Sequence, residues 1–320
     1  MAAVSRREFG RIALAGVPLA AAGWPAIARA FSPVVLGVTT SSFRDLPRVT
    51  GRDNVDDVVR ALTAIGATHI DLALSNVEPA PPNTAPFLGG SAAYPQRIVL
   101  TPEQIAATDA SARSALRVWR LQTPAGAVDA VRSKLAAAGI SVHACTLAYD
   151  ASFSDEEIDA TFRQAKALGA NAIGSTMTMA TAARLAPFAE RHRVIVAIHN
   201  QPDGNAGRFI ATPDLKPALA LSSSFKLKLD VGNLTASNCD AVAELRAHRG
   251  RVSHVLLKDR LRNGGASQPF GAGDTPLAGV LEALRADPAI PAFVEYDYLG
   301  LRSSIEEVKT AVAYVKRTAG

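Results

Sequence analysis

Cysteine, aromatic side chains and excess charge are all scarce in this chain of 320 residues. The only cysteines, Cys145 and Cys239, are too few for a disulfide-scaffolded fold or a thiolate zinc cluster. Aromatic residues make up 6%, and they form no stripe that alternates with basic residues. The net charge is +5, of which residues 1–30 hold +3. An excess of +2 over the other 290 residues predicts no nucleic-acid partner.

Long apolar runs are also missing, since no segment after residue 30 is apolar over the ~20 residues that span a bilayer. Residues 1–30 have the order of an export signal: Arg6 and Arg7, then Phe9, an apolar run over 12–27, and the small-x-small end Ala28-Arg29-Ala30. The paired arginines resemble the twin-arginine type, which the export machinery reads as an address. The alternative is an anchored helix, but the run is short and contains two glycines and two prolines. We therefore expect a periplasmic or secreted protein without a stable membrane anchor, with residues 31–320 as one domain. That compartment would permit, but not require, a disulfide between Cys145 and Cys239.

Short apolar or β-branched runs alternate with longer amphipathic stretches from residue 34 onward, which is typical of βαβ units on a parallel sheet. Eight strands are predicted: Val34–Thr39, His69–Leu74, Ser141–Leu147, Asn171–Thr176, Val194–His199, Lys226–Val231, Val252–Leu257 and Ala292–Tyr296. The main helical segments between and after them are 55–65, 127–138, 155–168, 180–191, 241–248, 277–285 and 304–316. Gly66, Gly139 and Gly169 fall where helices should end.

Eight such units in about 290 residues predict an α/β fold of the (β/α)8 TIM-barrel type. A doubly wound open sheet is the competing architecture. It would favour a glycine-rich phosphate turn after the first strand, whereas residues 38–42 contain no glycine. We therefore expect no nucleotide cofactor. The longest interruption, Ser75 to Pro102, should lie on the face where strands end and sites are built.

Polar residues at the predicted strand ends should converge on the mouth of such a barrel. The strand ends and the loops after them hold Arg44, Asp45, Asp71, Glu78, His143, Ser175, His199, Asp230, Lys258, Asp259 and Glu295. Carboxylates and an imidazole at one mouth could bind a divalent cation or act as acid and base on a polyol. The alternative for any single member is a solvated loop residue.

With these residues the chain resembles the xylose isomerase-like barrels of sugar phosphate isomerases and epimerases, in particular an exported subgroup. The matching segments are Ser42-Phe43-Arg44-Asp45, Val77-Glu78-Pro79, Lys166 to Ala170, Val196 to Asn200, Leu229 to Gly232, Leu257 to Arg260, Pro269 to Asp274 and Val294-Glu295-Tyr296. The resemblance implies a divalent metal (Mn, Mg, Co or Zn) at the barrel mouth and proton transfer between neighbouring carbons of a sugar or polyol. It places His199, Asp230 and Glu295 at the positions of metal ligands.

Three positions depart from the family pattern. Where the family commonly has a metal-binding histidine in the seventh strand, this chain has Leu256, and Gln201 and Asn233 stand at two further histidine positions. His254 faces the same side as Leu256 but about 6.6 Å deeper, too far to replace it. These losses predict an atypical or weakened metal site.

Lys228 offers a substitute cation, because strand alternation points it to the same side as Asp230. Two hypotheses follow: either a cation binds weakly through His199, Asp230 and Glu295, or the Lys228 ammonium replaces it. A third interpretation leaves the heads of Lys226 and Lys228 in water.

The sequence thus predicts a sugar or polyol isomerase or epimerase, or a related dehydratase. Its candidate catalytic residues are Glu295, Lys228 and Lys258. The candidate substrate contacts are Arg44, Glu78, His199, Asn233 and Asp259. The competing class is a periplasmic carbohydrate-binding protein that has lost the metal and the catalysis.

Overall fold

The computed structural model describes residues 34–81, 102–202, 212–298 and 300–319, with the backbone alone for 102–108 and 212–214. The predicted export signal and most of the Ser75–Pro102 interruption lie outside the described residues. Within them, no helix is both long enough and apolar enough to cross a membrane.

Eight parallel strands close into a barrel, which confirms the predicted fold. The chain order of the strands is also their order around the barrel, and the last strand pairs with the first. The barrel strands are β1 (Leu36–Thr39), β2 (His69–Ala73), β3 (Ser141–Thr146), β4 (Ala172–Ser175), β5 (Ile195–His199), β6 (Phe225–Asp230), β7 (Val252–Leu257) and β10 (Ala292–Val294). A short antiparallel hairpin, β8 (Asp259–Arg260) with β9 (Ser267–Gln268), follows β7 and was not predicted.

Ten α-helices occur in the described parts of the chain. They are α1 (Val55–Ile65), α2 (Pro102–Gln122), α3 (Ala125–Ala137), α4 (Asp155–Ala167), α5 (Met179–His192), α6 (Thr212–Ala220), α7 (Val231–Ala236), α8 (Ala241–His248), α9 (Leu277–Arg285) and α10 (Ser304–Ala319). Three single-turn 3-10 helices cover Thr40–Ser42, Leu74–Asn76 and Arg249–Arg251. The bounds of α1, α8 and α9 agree with the sequence prediction, whereas α2, α6 and α7 were not predicted.

Local sequence signals explain where helices begin and end. Ser154 caps α4 in a capping box: its hydroxyl accepts from the Glu157 amide, and the Glu157 carboxylate accepts from the Ser154 amide. Gly66, Gly139 and Gly169 adopt φ values of 74°, 72° and 84°, a region that only glycine enters at little cost. The predicted helix stops are therefore confirmed.

The core has two layers. Between the barrel and its helices, the apolar faces of the helices pack on outward strand residues such as Ile70, Ile173 and Val255. Inside the barrel, Ala144, Ala172 and Ala197 form a small separate cluster. Small side chains there leave space in which longer polar side chains are buried, and those side chains build the candidate site.

Candidate active site

The Lys258 ammonium lies among three carboxylates at the mouth of the barrel. Its Nζ is 3.1 Å from Asp230 Oδ2, 2.9 Å from Glu295 Oε2 and 2.8 Å from Asp297 Oδ2. Lys258 follows β7 directly, while Asp230 ends β6 and Glu295 follows β10, so neighbouring strands around the barrel supply the group. We call Lys258, Asp230, Glu295, Asp297 and His199 the mouth cluster.

Asp230 is held rigidly because it ends a strand and caps a helix at once. Its Oδ1 accepts a 2.8 Å hydrogen bond from the Asn233 amide, which makes it the N-cap of α7. The Asn200 side chain accepts from the Asp230 amide (2.8 Å) and donates to the Asp230 carbonyl (3.1 Å). His199 Nε2 lies 3.3 Å from Asp230 Oδ2. The carboxylate therefore has one orientation, with Oδ2 toward the cavity.

Glu295 and Asp297 come from the loop after β10. The Glu295 amide donates to the Leu257 carbonyl, and the Ser41 hydroxyl donates to Glu295 Oε1 over 3.2 Å. Glu295 Oε2 and Asp297 Oδ1 are buried, and neither makes a hydrogen bond with the described part of the chain. Arg44 Nη1 donates to the Asp297 carbonyl over 3.2 Å, so that it borders the cluster.

The charges of the cluster are fixed by one another. Burial alone would lower the pKa of Lys258, but the carboxylates of Asp230, Glu295 and Asp297 outweigh it and hold that pKa above its usual range. Burial would raise the pKa of Asp230, but Lys258 and His199 keep it well below its usual range. Lys258 is therefore a permanent cation, and it is unsuited to act as a nucleophile or a base.

A second layer of polar residues lies below the mouth cluster. The Lys228 Nζ donates 2.5 Å and 2.7 Å hydrogen bonds to Asp71 Oδ2 and Thr146 Oγ1, and Lys228 is only 2% exposed. His254 Nε2 lies 3.6 Å from the same Asp71 oxygen. These contacts correct two of the sequence interpretations: Lys228 is not in water, and its ammonium pairs with Asp71 rather than with Asp230 and Glu295. The ammonium between Asp230 and Glu295 belongs to Lys258.

Three predicted substrate contacts have other partners. Glu78 Oε1 accepts a 2.7 Å hydrogen bond from Arg120, a buried residue of α2. Asp259 accepts from the amides of Gly271, Gly273 and Thr275, and so fixes the loop before α9. The Asn233 side chain donates to the Asn200 carbonyl and accepts from Arg260. These side chains support the framework of the site, and the carboxylates of Glu78 and Asp259 make their hydrogen bonds with described residues outside the mouth cluster.

Two residues of the site were missed by the sequence interpretation. Asp297 lies two residues after Glu295, and strand alternation continued past β10 would have found it. Asn200 belongs to one of the segments that match the family, but its role depends on the Asp230 backbone, 30 residues away.

A divalent metal does not fit this arrangement. His199, Asp230 and Glu295 each offer a ligand atom within 4.8 Å of the others, which is suitable spacing for an ion. However, both outer oxygens, Asp230 Oδ2 and Glu295 Oε2, already contact the Lys258 ammonium. The two remaining oxygens accept hydrogen bonds from the Asn233 amide and the Ser41 hydroxyl. The β7 position level with Asp230 is the apolar Leu256.

Comparison with solved structures gives the fold a family name. A xylose isomerase domain protein from Alicyclobacillus acidocaldarius is 12% identical, with a TM-score of 0.57 over 90% of this chain and 98% of that one. The chain has the xylose isomerase-like barrel fold. Two further xylose isomerase-like barrels are similar. D-psicose 3-epimerase of Clostridium cellulolyticum H10, solved with D-tagatose, is 11% identical with a TM-score of 0.58 over 89% and 99% of the two chains. The IolI protein with a bound zinc atom is 12% identical with a TM-score of 0.57 over 89% and 98%.

No protein-family profile matches the chain, and no curated protein does. At 11–12% identity, these structural similarities establish the fold of the barrel alone.

Proposed function

We propose that this protein is a sugar or polyol isomerase or epimerase that moves a proton on the carbon next to a carbonyl group. The observation that carries the proposal is Glu295. Apart from its ion pair with the Lys258 ammonium at 2.9 Å, the Oε2 atom of its buried carboxylate has no hydrogen-bond partner among the described residues. Sugar epimerases among the proteins of similar fold support the substrate class.

The chemistry needs a base and a positive charge, and the cluster offers both. Glu295 would take the proton from the carbon beside the carbonyl, and the C–H electron pair would form a carbon–carbon double bond. The carbonyl π electrons would move to oxygen, and the Lys258 ammonium, released from Glu295 as that carboxylate takes the proton, would donate a hydrogen bond to the negative charge. Delivery of a solvent-derived proton to the opposite face of the same carbon gives epimerisation. Delivery of the proton to the neighbouring carbon, with transfer of the hydroxyl proton of the first carbon to the former carbonyl oxygen, gives isomerisation.

Deuterium exchange tests this function directly. The purified protein is incubated in D₂O with a panel of aldoses, ketoses and sugar acids, and incorporation of deuterium into C–H positions is followed by NMR. We expect exchange with at least one sugar, and Glu295→Gln should slow it roughly 100-fold or more because the base is removed. Glu282→Gln, on the exposed face of α9, is the matched control and should exchange at the wild-type rate.

The second candidate function is carbohydrate binding without catalysis. It is favoured by Leu256, Gln201 and Asn233, which stand where the family has imidazoles. A pure binder would show no deuterium exchange, while its sugar would still raise the melting temperature. If no sugar in the panel exchanges and none raises the melting temperature, both candidates are wrong.

We also propose export of the folded protein through the twin-arginine signal of residues 1–30. Arg6→Lys together with Arg7→Lys should keep the protein in the cytoplasm of an expressing bacterium, as read by cell fractionation. Export of this variant at the wild-type level would contradict the proposal.

A further inference from the structure

The Lys258 ammonium is positioned where a metal ion would have to sit. It contacts the two carboxylate oxygens that point into the cavity, Asp230 Oδ2 and Glu295 Oε2, at 3.1 Å and 2.9 Å. We propose that Lys258 is the built-in cation of this barrel, so that the native site takes up no divalent metal and becomes a metal site once the lysine head group is removed. The catalytic part of this inference rests on the proposed function, whereas the metal-binding part does not.

The charge of Lys258 would repel a divalent ion at this site. A divalent ion bound to Asp230 Oδ2 and Glu295 Oε2 would lie at contact distance from the ammonium that already pairs with both oxygens. Two like charges at that distance in a buried site repel each other strongly, since little water is present to screen them. Lys258 is 5% exposed and Asp230 is fully buried, so the ammonium is enclosed beside the carboxylates that a divalent ion would need.

The described residues around Lys258 also offer few ligands for a metal ion. His199, Asp230 and Glu295 supply three donor atoms, and Leu256 places an apolar side chain level with Asp230 on β7. His254, the imidazole below it on that strand, lies 3.6 Å from Asp71 in the second layer. Asp297, the other carboxylate of the cluster, also contacts the lysine, at 2.8 Å. The described donors thus surround an ammonium, and no fourth neutral donor on β7 favours a metal ion instead.

The backbone of Lys258 is held by close packing against helix α7. A Cβ atom on Gly232 would lie 2.8 Å from the Lys258 carbonyl oxygen and 2.9 Å from the Lys258 Cβ. Helix α7, which Asp230 caps, therefore packs directly on Lys258, and this contact requires a residue without a side chain. The same short helix fixes both the lysine and its principal carboxylate partner.

Lys258 would therefore supply the chemistry with one fixed positive charge, in place of a metal ion held by protein ligands. An ammonium donates hydrogen bonds to one developing oxyanion, and it cannot be removed by chelators. The proposed enolisation would therefore proceed in the presence of EDTA, with Lys258 as the catalytic residue that stabilises the enolate oxygen.

Metal titration tests the inference without any substrate. Wild-type protein is dialysed against EDTA, exchanged into metal-free buffer and titrated with Mn²⁺ by calorimetry, with metal content checked by mass spectrometry. We expect no stoichiometric uptake by the wild type. Lys258→Gln should bind one Mn²⁺ per chain at least roughly 100-fold more tightly, because His199, Asp230 and Glu295 become available as ligands. Lys258→Arg keeps the cation and is the matched control, for which we expect no gain.

A second substitution locates the new metal. Glu295→Gln added to Lys258→Gln should abolish the gained Mn²⁺ binding. If Lys258→Gln fails to fold, the double variant Lys258→Met with Asp297→Asn is titrated in the same way. It keeps the net charge of the cluster and all three ligand residues. If neither variant folds, the wild-type titration alone tests the inference. A built-in cation predicts that the wild type binds no Mn²⁺, whereas a metal site predicts one Mn²⁺ per chain.

Two results would overturn the inference: one Mn²⁺ bound per wild-type chain, or a folded variant without the ammonium (Lys258→Gln, or Lys258→Met with Asp297→Asn) that binds Mn²⁺ no better than wild type. Neither result depends on whether a sugar is turned over. Failure of the deuterium exchange with an unchanged titration result would remove the proposed function and leave the built-in cation standing.

Discussion

Gly174 shows how closely individual residues inside the barrel are matched to one another. A Cβ atom at this position in β4 would lie 2.8 Å from Lys228 Cδ and 3.2 Å from Thr146 Oγ1. Lys228 cannot simply swing away, because its ammonium is fixed to Asp71 and Thr146. The absence of a side chain at Gly174 therefore provides the space in which the buried Lys228 side chain crosses the barrel.

Gly174→Ala should accordingly destabilise the protein by about 1–3 kcal/mol, the usual effect of overpacking. Urea unfolding measures the loss. Gly126→Ala is the matched control, since a Cβ there meets nothing within 4 Å, and in α3 it should be neutral or stabilising by about 0.5–1 kcal/mol. Equal stability of the two variants would show that Lys228 is not confined as described.

Lys228 itself compensates a buried charge. Burial would raise the pKa of Asp71, but Lys228 and His254 outweigh it and hold that pKa below its usual range. Lys228→Met leaves the carboxylate unpaired and should cost about 3–5 kcal/mol in the free energy of unfolding. Addition of Asp71→Asn should restore most of that loss, as measured by denaturant unfolding of the two single variants and the double variant. Simple addition of the two single effects would contradict the pairing.

At the scale of elements, the long helix α2 is tied to the barrel by charge. Arg120 near its carboxyl end pairs with Glu78 at 2.7 Å and lies 3.5 Å from Glu157, and its guanidinium stacks on Phe153 at 4.7 Å. Arg113 on the same helix makes two hydrogen bonds to Glu157. Glu78 thus serves to attach a helix, although the sequence predicted a substrate contact.

Glu78→Gln should therefore lower stability by about 2–4 kcal/mol without slowing deuterium exchange under conditions where the variant is folded. Lys134→Gln is the matched control, because it breaks an exposed pair with Asp56 and should cost less than about 1 kcal/mol. Unfolding curves and exchange rates are measured on both variants. Loss of deuterium exchange in folded Glu78→Gln would show that Glu78 takes part in the active site.

At the scale of the whole molecule, acid should weaken the fold through the lower end of the barrel. The His143 ring packs on His254 and Phe293, with centroids 5.4 Å from each. Burial, and next the neighbouring His254, lower the pKa of His143 from 6.5 to about 4. Burial lowers the pKa of His254 as well. The folded state therefore holds both imidazoles neutral, whereas the unfolded chain protonates them at higher pH.

The sign of the effect follows from linkage. Because the unfolded state binds more protons below pH 6.5, the stability contributed by neutral His143 is complete above that pH and is lost as the pH falls toward about 4. His143→Gln should reduce this loss by roughly 2 kcal/mol between pH 7 and pH 4, measured by urea unfolding at each pH. His69→Gln, at the half-buried start of β2, is the control and should leave the slope unchanged. A wild-type slope in His143→Gln would assign the acid sensitivity to other groups.

The sequence by itself determined the architecture, because its signals are local. Short apolar or β-branched runs marked the strands, amphipathic stretches marked α1, α8 and α9, and glycine marked the turns at Gly66, Gly139 and Gly169. Since parallel strands end at one rim, the sequence also indicated that His199, Asp230 and Glu295 would meet, and their ligand atoms lie within 4.8 Å of one another.

Only the tertiary structure determined which buried lysine pairs with which carboxylate. Lys228 and Lys258 both face the barrel interior, but barrel closure brings one beside Asp71, 157 residues away, and the other beside Glu295. Glu78 pairs with Arg120 of α2. The sequence did not predict this helix, because its amphipathic pattern is weak. The alternation of side chains along a strand determines the side of the sheet on which a side chain lies. Its partner depends on the register between distant strands and on the length of the side chain. These depend on how the whole barrel closes, so the identity of the central cation could not be read from local patterns.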